Sequence, residues 1–121
     1  MKKLLIGLLT MTVASSTLAS ESYEIVSYRY KDGISFEEQR RSTDSLNAIV
    51  AEFAGFKSRT FYYSEDSQRW FDLVTWESLD DARSASEQAM KNPEALRVFG
   101  LMDEESMIFS HFKMMGGVDK D

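Results

Sequence analysis

The chain has 121 residues, of which 43% are hydrophobic and 28% are charged, with one proline and no cysteine. This composition is that of an ordinary globular protein, and it excludes a collagen, a low-complexity chain and a disulfide-linked scaffold. The formal net charge of -6 argues against binding to nucleic acid or to an anionic membrane surface through Lys and Arg. We therefore expect one small acidic domain.

The N-terminal segment 1–19 is typical of a secretion signal. Two lysines precede an apolar run from Leu4 to Ala14, and small residues occupy the recognition positions that end at Ala19. This pattern predicts a Sec-type signal peptide that is cleaved after Ala19, so that residues 20–121 are periplasmic or secreted. The apolar run is shorter than the roughly 20 residues that span a bilayer, and no membrane attachment is expected after cleavage.

The absence of cysteine bears on how an exported domain of this size is stabilised. A disulfide is the usual support for small exported domains, and here the core or a second copy of the chain has to replace it. The chain contains eight Phe, five Tyr and two Trp. A dimer interface or a ligand cavity would explain part of this aromatic content.

The first predicted elements are a strand and a helix. Residues Tyr23 to Tyr30 alternate and are rich in β-forming types, which predicts a strand. Ser35 and Glu38 have the spacing of a capping box, in which each side chain satisfies a backbone N–H at the start of a helix. An apolar stripe at helical spacing extends to Phe53, and Gly55 is placed to end the helix in the left-handed conformation.

Two more strands and a second helix follow. Strands are predicted at Lys57–Ser64 and Arg69–Trp76, joined by a polar loop of hairpin length, and they should pair antiparallel. Ser78 and Asp81 again have the spacing that begins a helix. Small residues on one side of this helix would let it approach a sheet closely.

The last elements complete the predicted fold. Asn92-Pro93 is suited to begin a short helix, and a final strand is predicted from Ser106 to about Met115, followed by a flexible tail at 116–121. The order strand, helix, strand, strand, helix, strand indicates an α+β, ferredoxin-like βαββαβ domain over residues 20–115. Its four-stranded antiparallel sheet has the helices on one face. The other face is expected to pair with a second copy, as a homodimer that encloses a cavity between the two sheets.

The open face of this sheet is the predicted ligand site. Alternation along the first strand places Ser27 and Arg29 on the open face if Tyr28 packs against the helices. On the third strand, we expect Phe71 and Leu73 to pack against the helices. The alternate residues of that strand are then left for the open face.

Five side chains are thus predicted to converge in one cavity: Ser27, Arg29, Asp72, Trp76 and His111. An aspartate beside the single histidine would orient the ring and raise its basicity, as suits a general base near neutral pH. We interpret Asp72 and His111 as catalytic, and Ser27, Arg29 and Trp76 as ligand-binding. The alternatives are a structural or rim role for His111, an ion pair of Asp72 with Arg29, and packing of Trp76 in the core or a dimer interface. With one histidine and no cysteine, no transition-metal site is expected within one subunit.

Five segments carry a resemblance to a known family: Tyr23–Gly33, Phe53–Phe56, Trp70–Ser78, Lys91–Glu94 and Glu105–His111. Together they resemble the dimeric α+β barrel superfamily, near the antibiotic biosynthesis monooxygenase-like domains. The resemblance spans essentially the whole chain after the predicted signal peptide. It implies a homodimer.

The activities within this family are mixed. Some members oxidise aromatic polyketides with dioxygen and no cofactor, some degrade haem, and many have no assigned activity. The haem-degrading branch has a tryptophan at the end of the third strand, which Trp76 matches. The first-strand asparagine of that branch corresponds to a position near Val26 or Ser27 of this chain. The histidine that the branch has on its second helix has no counterpart here. The resemblance therefore implies a small aromatic substrate and no cofactor, and haem ligation of that kind is not expected.

Three functions remain open at this point. The first is a cofactor-independent monooxygenase that acts on a small aromatic molecule. The second is a non-catalytic dimer of the cell envelope that binds a small ligand, and the third is a structural or interaction dimer whose open face is used up by packing. A nucleophilic hydrolase is disfavoured, because no glycine-flanked serine elbow is present.

Overall fold

Four strands and three helices make up the part of the chain that the structure describes. A computed structural model covers residues 20–121, and the predicted signal peptide lies outside the described residues. The strands are β1 (Ser22–Tyr28), β2 (Phe56–Ser64), β3 (Arg69–Trp76) and β4 (Ile108–Phe112). The helices are α1 (Phe36–Val50), α2 (Leu79–Ala89) and α3 (Pro93–Gly100), and one 3-10 turn (Glu104–Ser106) precedes β4.

The strands form one antiparallel sheet in the order β2-β3-β1-β4. Buried residues of α1 and α3 pack with Tyr28 and Trp70, and those of α2 pack with Val74 and Trp76. These four sheet residues lie on one face. Tyr28 and Trp70 are directly opposed in the antiparallel register, and Trp70, Val74 and Trp76 are separated by an even number of positions along β3, so their side chains point to the same side. The predicted α+β, ferredoxin-like fold with its helices on one face is confirmed.

The three helices begin where the sequence predicts. Ser35, Ser78 and Asn92 are the N-caps, and each side-chain oxygen accepts a hydrogen bond from the backbone N–H three residues later. The first capping box is only half formed, because the Glu38 carboxylate accepts hydrogen bonds from Arg41 and another α1 side chain. The start of α1 is therefore fixed by its serine rather than by the reciprocal pair.

The end of α1 comes earlier than predicted. The helix stops at Val50, and Gly55 lies in the turn that leads into β2, with a φ of +82°. A Cβ at Gly55 would also collide with the carboxylate of Asp81 at the start of α2. Gly55 therefore meets two requirements, a left-handed backbone and a close approach of α2.

The first and last strands of the chain are shorter than predicted. β1 ends at Tyr28, and Tyr30 forms only an isolated bridge with Met102. Ser106 lies in the 3-10 turn instead of β4, and its hydroxyl accepts a hydrogen bond from the backbone N–H of Arg29 at 2.8 Å. β4 begins two residues later, at Ile108.

The face of β3 that packs on the helices is opposite to the predicted one. Tyr28 of β1 lies directly opposite Trp70, and directly opposed residues of antiparallel strands share a face. Since Tyr28 is fully buried against the helices, Trp70 and the residues that alternate with it are buried there too. Phe71 is 37% exposed on the other face. The prediction that Phe71 and Leu73 pack against the helices is wrong.

The face of the sheet that the helices leave uncovered is rich in apolar side chains, and we call it the open face. It carries Tyr23, Ile25, Tyr62, Phe71, Ile108 and Phe112. The rings of Tyr62 and Phe71 meet edge to face, with their centroids 6.1 Å apart. Among residues 20–121, no helix has the length and apolar character needed to cross a membrane.

Candidate functional site

A cavity of about 360 Å³ lies between the sheet and the helices, and we call it the inner cavity. This volume is within the range of sites that bind small molecules. Its wall is mainly apolar and includes Val26, Leu46, Phe53, Val74, Trp76 and Phe99. The inner cavity belongs to one subunit, on the side of the sheet opposite to the predicted site.

Four polar side chains in the wall of the inner cavity are largely buried: Glu24, Tyr28, Arg59 and Asp72. Buried polar groups are stable only when they are paired, so their partners define what the cavity can do. In the described part of the chain, no three acidic or histidine side chains come together in a cluster that could hold a metal ion.

Asp72 lies at the centre of a buried network. Arg59 Nη2 donates a hydrogen bond to Asp72 Oδ2 at 2.7 Å, and the Tyr28 hydroxyl donates to Oδ1 at 2.9 Å. The other terminal nitrogen of Arg59 donates to the Thr43 carbonyl at 2.9 Å and to Asn47 Oδ1 at 2.6 Å. Both oxygens of Asp72 are therefore occupied, and the guanidinium ties β2 and β3 to α1.

Burial controls the ionisation of this network. Burial raises the pKa of the Asp72 carboxyl above its ordinary value, and the Arg59 charge and the Tyr28 hydrogen bond oppose the rise. Burial also raises the pKa of Tyr28 far above its ordinary value and that of Tyr30 to about 12. Both tyrosines thus remain protonated at neutral pH, and Tyr28 donates its proton to the hydrogen bond with Asp72.

A second polar pair joins β1 to β4. His111 Nε2 lies 3.1 Å from Glu24 Oε1, and the two residues are direct partners in the antiparallel register. Burial raises the pKa of Glu24 above its ordinary value, and hydrogen bonding and charge at His111 reduce the rise. The carboxylate of Glu24 is therefore a stronger base than an exposed glutamate.

The indole N–H of Trp76 is a buried donor without a partner. Nε1 is inaccessible to solvent and makes no hydrogen bond within the described residues. It lies close enough to the Glu24 carboxyl to lower its pKa, but without the geometry of a hydrogen bond. Trp76 lines the inner cavity, and its N–H is the one buried side-chain donor of the described residues that lacks a hydrogen-bond partner.

The structure divides the five predicted site residues between the two faces of the sheet. Asp72, Trp76 and His111 lie on the helix side, whereas Ser27 lies on the open face. Arg29 is exposed beyond the end of β1. The prediction that all five converge in one cavity is wrong, because the faces of β3 were assigned the wrong way round.

The contacts of Ser27 and Arg29 are structural. The Ser27 hydroxyl donates to the Trp70 carbonyl at 2.9 Å and accepts from Arg69 at 3.1 Å. The Arg29 carbonyl accepts a hydrogen bond from the Asp103 N–H at 2.9 Å. These contacts join β1 to β3 and to the loop before β4.

The predicted partners of Asp72 and His111 are also wrong. Asp72 pairs with Arg59 rather than with His111 or Arg29, and His111 pairs with Glu24. Two residues of the site were missed. Glu24 alternates with Val26 and Tyr28, which face the helices, so a charged residue in line with core positions was the available signal. Arg59 becomes recognisable only from the register of β2 against β3.

No family model and no curated protein sequence matches this chain. A single-residue mutant of SnoaB, a cofactor-independent oxygenase from Streptomyces nogalater, matches with a TM-score of 0.68 and 17% identity, covering 84% of this chain and 100% of that one. A candidate antibiotic biosynthesis monooxygenase from Bordetella bronchiseptica matches with a TM-score of 0.67 and 17% identity, covering 79% and 98%.

A dimeric ferredoxin-like protein of unknown function from Thermobifida fusca matches with a TM-score of 0.63 and 14% identity, covering 79% of this chain and 92% of that one. Matches at this level of identity show a shared fold. The resemblance predicted from the sequence is confirmed at that level: the chain has the fold of the antibiotic biosynthesis monooxygenase-like domains.

Proposed function

We propose that this protein binds a small aromatic molecule in the inner cavity and oxidises it with dioxygen, as a cofactor-independent monooxygenase. The observation that carries the proposal is the make-up of the inner cavity, in which aliphatic and aromatic walls surround a few buried polar groups. A planar molecule with one or two oxygen substituents is complementary to such a site. SnoaB, which shares the fold, is a cofactor-independent oxygenase.

The polar groups of the inner cavity have distinct roles in this proposal. The unpartnered N–H of Trp76 donates to an oxygen atom of the ligand, which would satisfy a buried donor that the free protein leaves unpaired. Both oxygens of Asp72 are already used. We therefore assign Asp72 a positioning role, in which it holds the Tyr28 hydroxyl and the Arg59 guanidinium in the wall.

The substrate itself supplies the electrons in a reaction of this class. Removal of a phenolic proton makes the ring electron-rich, and a conjugated CH₂ carbon can then be oxidised to a carbonyl. Dioxygen accepts four electrons: one of its atoms becomes the carbonyl oxygen, and the other leaves as water with the two hydrogens of the CH₂ group. An apolar cavity favours this chemistry because it keeps bulk water away from reactive intermediates.

Oxygen uptake and isotope incorporation test the proposed reaction. The purified protein would be incubated with a panel of hydroxylated aromatic compounds under ¹⁸O₂. We expect oxygen consumption with at least one compound and a product that contains one ¹⁸O atom. Ala89→Phe, which places a ring in the inner cavity, should abolish turnover, whereas Ala48→Phe on the exposed side of α1 should not.

The same cavity also supports a non-catalytic function, the binding of a small aromatic ligand in the cell envelope. Native mass spectrometry of the protein from its producing cells would reveal a ligand that stays bound. If a ligand is retained and no oxygen is consumed, the non-catalytic binding function replaces the oxygenase proposal. A protein that neither retains nor binds any small molecule would instead favour the structural or interaction dimer.

Export and homodimerisation belong to the same proposal. The lysines and apolar run of segment 1–19 support export to the periplasm or the medium after cleavage at Ala19. The apolar side chains of the open face support pairing with a second copy, because such a face is unfavourable in water. One of the structures that share the fold is described as dimeric.

A further inference from the structure

Glu24 and His111 lie between two spaces of different character. Glu24 lines the inner cavity. His111 lines an open groove between β4, the start of β1 and the start of α2, together with Ser22, Arg83 and Lys113. Phe109 contributes to the wall of both spaces. The pair therefore spans the wall, with its carboxylate towards the apolar cavity and its imidazole towards the groove.

Of the two buried carboxylates in the inner cavity, only Glu24 has an oxygen left for a ligand. Within residues 20–121, its hydrogen bond to His111 uses Oε1. The two oxygens of Asp72 are occupied by Tyr28 and Arg59. Asp72 also forms an ion pair whose side chains are only 6% and 3% exposed, and proton transfer to it would leave the Arg59 charge buried without its partner.

We propose that Glu24 is the general base of the inner cavity, that it takes the proton of an acidic hydroxyl on the bound aromatic molecule, and that His111 is its positioning residue. This inference rests on the proposed function and adds the identity of the base. It also narrows the ligands to aromatic compounds that carry an ionisable O–H.

The proton transfer balances within the site. The ligand O–H bond breaks, an O–H bond forms at Oε2 of Glu24, and the electron pair stays on the ligand oxygen as a phenolate. His111, in the tautomer that carries its proton on Nε2, donates to Oε1 throughout and keeps the carboxyl oriented. In this proposal, the N–H of Trp76, which lies beside the same carboxyl and has no partner of its own, donates to the new phenolate oxygen once the ligand is bound.

Few other charges act on this transfer. The titratable side chains that line the inner cavity with Glu24 are Tyr28, Arg59, Asp72 and Glu104, and the helices contribute none to its wall. On the groove side, His111 is accompanied by Glu21, Arg83 and Lys113. Ionisation of the bound molecule should therefore change the charge of Glu24 first, and His111 is the side chain that is hydrogen-bonded to it.

Para-nitrophenol is a suitable probe, because its phenol and phenolate forms absorb at different wavelengths. We expect the bound probe to have a larger phenolate fraction than the free probe at the same pH. Glu24→Gln should bind the probe but lower the ratio of bound phenolate to bound phenol at least about tenfold, which corresponds to one pKa unit in the bound probe. Glu87→Gln, which removes an exposed carboxylate of α2 outside the cavity, should leave the fraction unchanged.

Variants of His111 test the positioning role. His111→Leu removes the donor to Oε1 and should lower the bound phenolate fraction, whereas His111→Gln keeps an N–H donor and should restore most of it. A role of His111 in packing alone would give the opposite order, because leucine is the better apolar substitute. An equal phenolate fraction in both variants and in the wild type would overturn the positioning role.

A measurement on the unmodified protein does not depend on how the variants fold. His111 is the only histidine, so its imidazole gives a single set of NMR signals. Para-nitrophenol should shift these signals by neutralising Glu24, and nitrobenzene, which has no proton to give, should not. Equal shifts from both compounds, or binding of para-nitrophenol without ionisation, would overturn the assignment of Glu24 as the base. The proposed function would not be affected by either result. If neither compound binds, the proposed function and the assignment of Glu24 as the base both fail.

Discussion

Arg59 Nη2 and Asp72 Oδ2 lie 2.7 Å apart in an ion pair whose side chains are only 3% and 6% exposed. Removing one partner leaves the other charge buried, which costs about 3–5 kcal/mol in proteins. We therefore expect Asp72→Asn and Arg59→Met each to lower the free energy of unfolding by an amount of this order. Urea denaturation followed by circular dichroism measures the loss.

The double variant separates pairing from desolvation. Because Asp72→Asn with Arg59→Met leaves no unpaired charge, it should cost clearly less than the sum of the single changes. Arg97→Gln serves as the control, since Arg97 pairs with Glu94 at the surface, and its effect should be much smaller than that of either buried change. Additive losses in the double variant would show that the two buried side chains contribute independently of each other.

The order of the elements was predictable from the sequence, whereas the faces of β3 were not. Helix starts depend on local chemistry, and Ser35, Ser78 and Asn92 each form the expected cap. β3 has large apolar residues on both faces, so alternation alone does not say which face is buried. The pairing of Tyr28 with Trp70 decides it, and that pairing is a long-range contact.

The same limit explains what was missed in the candidate site. Asp72, Trp76 and His111 were selected by residue type and do lie on one face. Their partners Glu24 and Arg59 come from other strands, at sequence separations that no local pattern covers. Candidate residues were therefore predictable one by one from their type, whereas their pairing depends on strand register.

Glu24 should give stability an unusual dependence on pH. Burial raises its pKa in the folded chain above the ordinary value of 4.5. Such a group contributes stability that is fully present below the unfolded pKa and is lost as the pH rises through the folded pKa. Compared with Glu24→Gln, we therefore expect the wild type to lose stability as the pH rises above the ordinary glutamate value of 4.5.

Urea denaturation at a series of pH values measures this difference, and a second glutamate provides a control of opposite sign. A hydrogen bond from Arg97 holds the pKa of Glu94 below its ordinary value. The stability that Glu94 contributes is present above its unfolded pKa and is lost as the pH falls. Relative to Glu94→Gln, the wild type should thus lose stability on acidification. Parallel pH profiles for wild type and Glu24→Gln would contradict the raised pKa.

Gly55 should be the most sensitive glycine of the described chain. Gly55→Ala meets both a φ of +82° and the Asp81 carboxylate, whereas Gly33→Ala meets a φ of +90° with nothing near its Cβ. The left-handed backbone costs about 1–2 kcal/mol for a residue with a Cβ. We expect Gly33→Ala to lose about that much and Gly55→Ala to lose more.

Gly100→Ala is the matched control, because its backbone is helical and its added methyl group meets no neighbour. Its effect on the free energy of unfolding should be neutral or favourable, since alanine is the better helix former. Thermal and urea denaturation of the three variants gives the order. Equal losses for Gly33→Ala and Gly55→Ala would show that α2 can move away from Gly55 at no cost.

Export predicts a defined N-terminus. Signal peptidases require small residues at the recognition positions, so the protein recovered from the periplasm or medium should begin at Ser20. Ala19→Arg should accumulate as the uncleaved precursor, and Ser15→Ala, outside those positions, should be processed normally. Intact-mass spectrometry distinguishes the two forms. Wild-type protein that keeps its N-terminal segment and stays in the cytoplasm would remove the export proposal.

Dimerisation through the open face should depend on single apolar side chains. Phe71 lies on β3, in the middle of the sheet order, and contacts Tyr62, so a charge there would be buried in any face-to-face pairing. Phe71→Asp should therefore convert a dimer into a monomer, as measured by sedimentation equilibrium. Leu96→Asp on α3 is the control, because Leu96 is 42% exposed in the helix layer and should not affect the mass. If Leu96→Asp dissociates the dimer and Phe71→Asp does not, the copies meet through their helices, and the open face needs another partner.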